Sequence, residues 1–171
     1  RALLQNKRVI YFTLELSKRM IALKFDSSLF GRTLDTIKSA PKEFALALKA
    51  MRDKLTGKLT IAEFPTKGLT VDRMSAVIQK LGGVDLVLVD YGQLVKAPQK
   101  REHHRQEITE IYEGMRRIAG ELQVPVWTAH QANRPGTQSK VLLSEHIAED
   151  FNVVAISDIA VSVNYNEEEQ R

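Results

Sequence analysis

The sequence of 171 residues contains no cysteine, so it can form neither a disulfide bond nor a zinc site with thiolate ligands. It has no apolar run approaching the length of a membrane span, and its first residues do not resemble a signal peptide. Internal repeats and low-complexity tracts are also lacking. These absences predict a cytoplasmic protein without membrane partners.

The composition is that of an ordinary globular domain, with 43% hydrophobic and 27% charged residues. A chain of 171 residues can build one domain with a substantial core, but it is short for two. The net charge of +4 permits a nucleic-acid partner without requiring one, because a modest basic excess is common in proteins that bind no nucleic acid.

Apolar patterns along the chain alternate between strand and helix periods. We predict helices after Ser17 and Thr70 as capping residues, from Pro41 to before Gly57, and over 102–122. Strands are predicted at residues 9–14, 59–64, 86–90, 124–130 and 158–165, with irregular structure over 131–157. This order indicates an α/β fold with a mostly parallel sheet and helices on both faces.

Polar residues follow three of the predicted strands, at the edge where open α/β sheets bind ligands. Asp90 ends the apolar run LVLVD, a pattern typical of a magnesium-binding Walker B strand, although Asp also caps helices. Glu15 in FTLEL can activate a water molecule, and Gln131 in HQANR can hydrogen-bond a terminal phosphate. Alternatively, Glu15 is a solvated charge at the end of a strand and Gln131 is a simple loop residue. Because Asp90, Glu15 and Gln131 all occur at the same predicted edge, a functional site is favoured over these alternatives.

Four short segments, in this order and at these approximate spacings, resemble the RecA-like ATPase domain of DnaB-type replicative helicases, including phage relatives. They are TLEL at 13–16, VDYGQL at 89–94, ELQVPV at 121–126 and QANR at 131–134. The resemblance covers nearly the whole chain and implies a RecA-like P-loop NTPase core that uses ATP and Mg²⁺. It further implies that Glu15 is the catalytic glutamate, Asp90 the magnesium ligand, and Gln131 the switch between nucleotide and DNA.

The same resemblance implies a motor that hydrolyses ATP to move along single-stranded DNA and unwind duplexes. It implies a homohexameric ring, with a primase or a helicase loader as further partners. Basic residues after two of the strands are candidates for DNA contacts, with a solvated charge run as the alternative: Lys96, Lys100, Arg101, Arg134 and Lys140.

The phosphate-binding pattern GxxxxGK[ST] of this family is absent from the sequence. We therefore expect residues 1–171 to be one RecA-like domain cut at both ends, without its P-loop and its C-terminal elements, and inactive by itself. A RadA- or KaiC-like ATPase is one alternative. A RecA-like module that binds DNA or a partner without catalysis is another.

Overall fold

The computed structural model describes residues 1–52, 54–131 and 151–163. Its strands are β1 (Arg8–Thr13), β2 (Lys58–Glu63), β3 (Leu86–Asp90) and β4 (Val126–Thr128). Its α-helices are α1 (Lys18–Phe30), α2 (Leu34–Ser39), α3 (Pro41–Arg52), α4 (Val71–Lys80), α5 (His104–Leu122) and α6 (Phe151–Ile156). Short 3₁₀ helices occupy Ala2–Gln5 and Gly92–Leu94. The predicted alternation of strands and helices is confirmed.

The four strands form one parallel sheet in the order β2-β1-β3-β4. In its register Thr13 lies beside both Glu63 and Asp90, the last residues of the flanking strands. Because all strands run the same way, their carboxyl ends meet at a single edge. The predicted parallel sheet is confirmed, and this edge carries the candidate site.

One face of the sheet packs against α4 and α5 to form the core. Strand residues that alternate toward this face are 0–3% exposed: Ile10, Phe12, Val87 and Val89. The helices meet them with a stripe at spacings of three and four: Met74, Ile78, Ile108, Ile111, Met115 and Ile118. Full burial of an apolar side chain of this size stabilises a fold by about 1.5–3 kcal/mol.

The opposite face carries Tyr11, Leu88 and Trp127 and is less completely covered by the described residues. Helix α1 contributes Phe25, whose ring stands edge-on to the ring of Tyr11 at 5.6 Å between centroids. Trp127 is 49% exposed. Helices therefore lie on both faces of the sheet, as predicted, with the tighter packing on the side of α4 and α5.

Side-chain caps set the starts of the two helices for which they were predicted. The Ser17 hydroxyl accepts a hydrogen bond from the Met20 amide, and the Thr70 hydroxyl accepts one from the Arg73 amide. After α4 the chain turns through Gly82 and Gly83, both at positive φ, as a helix-ending pair should. Helix α3 ends at Arg52, five residues before the predicted stop at Gly57.

Three predictions about the second half of the chain are wrong or incomplete. No strand forms over 158–163, although apolar residues alternate there; Val163 is 81% exposed, and alternation without a pairing partner does not make a strand. Residues 164 and 165 lie outside the described residues. Strand β4 covers only part of 124–130. Helix α6 lies within a segment predicted to be irregular, and its Val153 is buried.

Candidate functional site

Asp90 ends β3 at the carboxyl edge, between the ends of β1 and β4. Its carbonyl oxygen accepts a hydrogen bond from the Leu14 amide at 3.0 Å, which holds the chain after β1 against it. Its carboxylate Oδ2 accepts a hydrogen bond from the Tyr11 hydroxyl at 2.7 Å. Burial, this hydrogen bond and the charge of Asp90 together raise the pKa of Tyr11 far above its usual value. The peptide bond between Asp90 and Tyr91 is cis.

Glu15 lies in the turn that follows β1, and its side chain is exposed. The buried Thr13 hydroxyl closes this turn by donating to the Leu16 carbonyl at 2.6 Å. Burial, then the charges of Glu15 and Asp90, raise the pKa of the Tyr91 phenol. The fold brings Glu15 and Asp90 to the same edge, because Glu15 follows Thr13 by two residues and Thr13 lies beside Asp90 in the register of the sheet.

Gln131 follows β4 and is tied to the turn that follows β3. Its backbone amide donates to the Gln93 side-chain oxygen at 2.9 Å. A second tie lies nearby, where the Thr128 hydroxyl accepts from the Gly92 amide at 2.8 Å and donates to the Val89 carbonyl at 3.0 Å. The structure thus brings Gln131 to the Asp90 edge. It does so through two residues that the sequence analysis did not single out, Gln93 and Thr128.

The turn Gly92–Leu94 packs so closely that a larger residue at position 92 would require the Tyr112 side chain to shift. A Cβ at this position would lie 2.9 Å from the Tyr112 hydroxyl oxygen and 3.1 Å from the Thr128 hydroxyl oxygen. The Tyr112 hydroxyl is also 2.9 Å from Nδ1 of His130, whose pKa is lowered by burial. The turn thus packs closely between Tyr112 of α5 and Thr128 of β4.

A lysine on the loop between β2 and α4 supports the same turn. Nζ of Lys67 donates to the Gln93 carbonyl at 2.8 Å and to the Val95 carbonyl at 3.1 Å. Its position in the sequence, in the stretch FPTKGL, carries no pattern that predicts this contact. Lys67 therefore belongs to the scaffold of the site, and only the tertiary structure reveals it.

The predicted DNA-binding residues fall into three groups. Lys96 and Lys100 are exposed, and neither side chain forms an ion pair within the described part of the chain. Arg101 is already paired, with its Nε 2.6 Å from a carboxylate oxygen of Glu110. Arg134 and Lys140 lie outside the described residues, so their predicted role stays a prediction.

The residues of this edge fit Mg²⁺, but they do not by themselves fit a nucleotide. Within the described residues, no group of three or more histidine and acidic side chains could enclose a metal ion. One carboxylate suffices for Mg²⁺, which keeps water and phosphate oxygens as its other ligands. The Asp90 carboxylate receives a single hydrogen bond from the described residues, that of Tyr11. The amide cradle and lysine that would hold the phosphates are not present in this sequence.

The sequence comparisons agree with one another on the family of proteins to which the chain is similar. The family described as "DnaB-like helicase C terminal domain" matches residues 1–145. The chain is 24% identical over 172 residues to the DnaB-like replicative helicase of Enterobacteria phage T4, covering 94% of this chain and 36% of that protein. It is 30% identical over 142 residues to the replicative DNA helicase DnaB of Pasteurella multocida, covering 78% of this chain and 30% of that protein. The chain thus spans about a third of the length of these curated relatives.

Solved structures show the same fold at low sequence identity. One solved structure, described as an ATPase domain, superposes with a TM-score of 0.75 at 17% identity, covering 90% of this chain and 58% of that one. A DnaB-like replicative helicase, solved in a study of its interactions with primase, superposes with a TM-score of 0.73 at 18% identity, covering 90% and 39%. In the described ranges, no helix is both long and apolar enough to cross a membrane.

Proposed function

Because the chain belongs to the family of DnaB-like helicase C-terminal domains, we propose that it forms part of the motor of a replicative DNA helicase. In the complete polypeptide this motor would couple ATP hydrolysis to translocation on single-stranded DNA and to duplex unwinding. The observation that carries the proposal is the convergence of Glu15, Asp90 and Gln131 at one edge of a parallel sheet. Those three positions would supply a metal ligand, a general base and a phosphate contact, three of the groups that a phosphate-hydrolysing site needs.

Asp90 and Glu15 have different roles in this proposal. Asp90 would hold Mg²⁺, which when bound neutralises charge on the phosphates. Glu15 would orient and deprotonate the attacking water, because its carboxylate receives no hydrogen bond from the described residues and is exposed at the edge. The phosphate cradle would come from sequence other than these 171 residues.

Gln131 would link the nucleotide to the DNA. Its side-chain amide can donate a hydrogen bond to a terminal phosphate, while its backbone leads directly into residues 132–140, which include Arg134 and Lys140. Loss of the phosphate would then change the position of a segment that contacts DNA. The tie between the Gln131 amide and Gln93 supports this role, since it fixes where the side chain starts.

The family also supports a proposal about the remaining partners. We propose a hexameric ring with single-stranded DNA in its channel, and a primase or a loader as an accessory partner. Lys96 and Lys100 are exposed cations on the connection after β3, and cations of this kind track the phosphates of a single strand.

The family match favours this helicase over a RadA- or KaiC-like ATPase. The second candidate function is a RecA-like module that binds DNA or a partner without catalysis. Such a module would use the same fold without the phosphate-binding pattern GxxxxGK[ST], which these 171 residues do not contain.

The test uses the complete polypeptide and compares Asp90→Asn with Asp85→Asn. Asp85 is a matched control because it precedes β3 at the opposite edge, where its carboxylate accepts from the Arg8 amide at 2.7 Å. We expect Asp90→Asn to abolish DNA unwinding and to weaken magnesium-dependent ATP binding, and Asp85→Asn to retain both. If wild-type protein binds DNA but neither binds nor hydrolyses ATP, the non-catalytic module is correct instead.

A further inference from the structure

The hydroxyl of Tyr11 is the one donor that the described residues offer to the Asp90 carboxylate. The two residues are far apart in sequence and lie on adjacent strands. Tyr11 precedes Thr13 by two positions, and Thr13 lies beside Asp90 in the register of β1 and β3. Side chains two residues apart on a strand share a face, so the Tyr11 ring runs along the sheet toward the carboxylate. The resulting bond of 2.7 Å is partly buried.

The ring of Tyr11 is itself held in place. Phe25 of α1 packs edge-on against it, with the two rings perpendicular and 5.6 Å between centroids. Leu88 lies beside Tyr11 in the register of the sheet. A phenol anchored by packing can fix the rotation of a carboxylate, because the hydrogen bond occupies one oxygen in a set direction.

We propose that Tyr11 is a positioning residue for magnesium: its hydroxyl holds Oδ2 of Asp90 so that the other carboxylate oxygen is presented to the ion in a fixed orientation. This inference rests on the proposed function, in which Asp90 binds Mg²⁺. Mg²⁺ demands near-ideal octahedral geometry, whereas Ca²⁺ accepts a flexible one. A residue that orients the ligand therefore matters more for Mg²⁺ than for Ca²⁺.

The test measures metal affinity rather than turnover. Binding of a fluorescent, non-hydrolysable ATP analogue to the complete polypeptide is titrated with Mg²⁺ and, separately, with Ca²⁺. Tyr11→Phe removes the hydroxyl and keeps the ring. Tyr91→Phe is the matched control, because Tyr91 adjoins Asp90 and its hydroxyl donates no hydrogen bond to the described residues. Asp90→Asn is included to test the metal site itself.

We expect Tyr11→Phe to raise the Mg²⁺ concentration for half-maximal binding at least about tenfold, as losses of groups that orient metal ligands do. The rise with Ca²⁺ should be clearly smaller, and Tyr91→Phe should match wild type. An equal shift for both ions, no shift, or tighter binding would overturn the positioning role and leave the helicase proposal intact. An Asp90→Asn variant with wild-type metal dependence would overturn both.

A second variant keeps the test decisive if Tyr11→Phe does not fold. Phe25→Leu leaves the hydroxyl in place but removes the edge-on contact that holds the ring. We expect a smaller rise in the Mg²⁺ requirement, again with less effect on Ca²⁺. A wild-type Mg²⁺ requirement in folded Phe25→Leu protein would count against an orientation that depends on ring packing.

Discussion

Two glutamates at the same edge of the sheet differ in what their carboxylates already do. Glu63 ends β2, and its Oε2 accepts a hydrogen bond from the Lys18 amide at 2.8 Å, at the start of α1. A carboxylate there also interacts favourably with the amino end of the helix. Glu15 is exposed and accepts no hydrogen bond within the described part of the chain. The free carboxylate is the better candidate for a general base.

Exchange of each glutamate for glutamine tests this assignment. In the complete polypeptide, Glu15→Gln should keep nucleotide binding and lower ATP hydrolysis by about 10²–10⁴-fold, because an amide cannot accept the proton. Glu63→Gln should hydrolyse ATP like wild type and lose some thermal stability through the weakened cap. Measured turnover and nucleotide affinity of both variants decide the matter; near-normal hydrolysis by Glu15→Gln would make that residue structural.

At the scale of elements, the turn Gly92–Leu94 follows β3 and is hydrogen-bonded to the end of β4 and to the chain just after it. The Gly92 amide donates a hydrogen bond to the Thr128 hydroxyl, and the Gln131 amide donates one to the Gln93 side-chain oxygen. Lys67 holds the same turn from the β2–α4 loop. We therefore predict that a displacement of Gln131 would reach the chain that follows Asp90, because both are hydrogen-bonded to this one short turn or belong to it.

Substitutions of Gln93 and Gln131 test that connection. Gln131→Ala should leave nucleotide affinity within a few fold and abolish the stimulation of ATP hydrolysis by single-stranded DNA. Gln93→Ala should reduce the same stimulation, because the Gln131 amide loses its acceptor, a bond worth about 0.5–1.5 kcal/mol. Gln93→Glu keeps an acceptor oxygen at this position and should therefore retain the stimulation by DNA that Gln93→Ala reduces.

The readout for these variants is the ATPase rate against DNA concentration. Full stimulation in Gln131→Ala would refute the switch assignment. Equal losses in Gln93→Ala and Gln93→Glu would show that the side-chain acceptor at position 93 is not what matters.

At the scale of the whole molecule, these 171 residues do not contain the phosphate-binding pattern GxxxxGK[ST]. The phosphate cradle of a P-loop supplies backbone amides and a lysine, and one Asp90 carboxylate with Mg²⁺ is a weak substitute. We expect the 171-residue chain to release no phosphate from ATP above a buffer control. The complete polypeptide, assayed in parallel, should release it. Robust turnover by the 171 residues would place the nucleotide elsewhere.

DNA binding by the complete molecule should depend on salt through its phosphate contacts. Arg134→Ala should weaken binding to single-stranded DNA and reduce the slope of log K against log salt by about one unit at most. Lys96→Ala and Lys100→Ala test the connection after β3. Lys80→Ala is the control, because this exposed lysine ends α4 at the opposite edge of the sheet.

Fluorescence anisotropy at several salt concentrations gives these slopes. An unchanged slope in Arg134→Ala, together with reduced slopes in the two lysine variants, would move the DNA contact to the connection after β3. Among the variants on the connection after β3, Arg101→Ala should change the salt slope least, because the Arg101 guanidinium is already paired with Glu110.

The sequence by itself determined the local elements and the order of the site residues. Strand runs such as LVLVD, the caps Ser17 and Thr70, and the long helical stripe of α5 are local patterns, because each depends on side chains within a few residues. Glu15, Asp90 and Gln131 were predicted to share an edge for the same reason: each follows a strand, and parallel strands end together.

Only the tertiary structure decided which groups meet at that edge. The bond from Tyr11 to Asp90 joins residues 79 apart, and the bond from Gln131 to Gln93 joins residues 38 apart. Such contacts depend on strand order and register, which no local period encodes. The same reason explains the error at 158–163: an alternating pattern is local, but a strand exists only where a neighbouring strand accepts its hydrogen bonds.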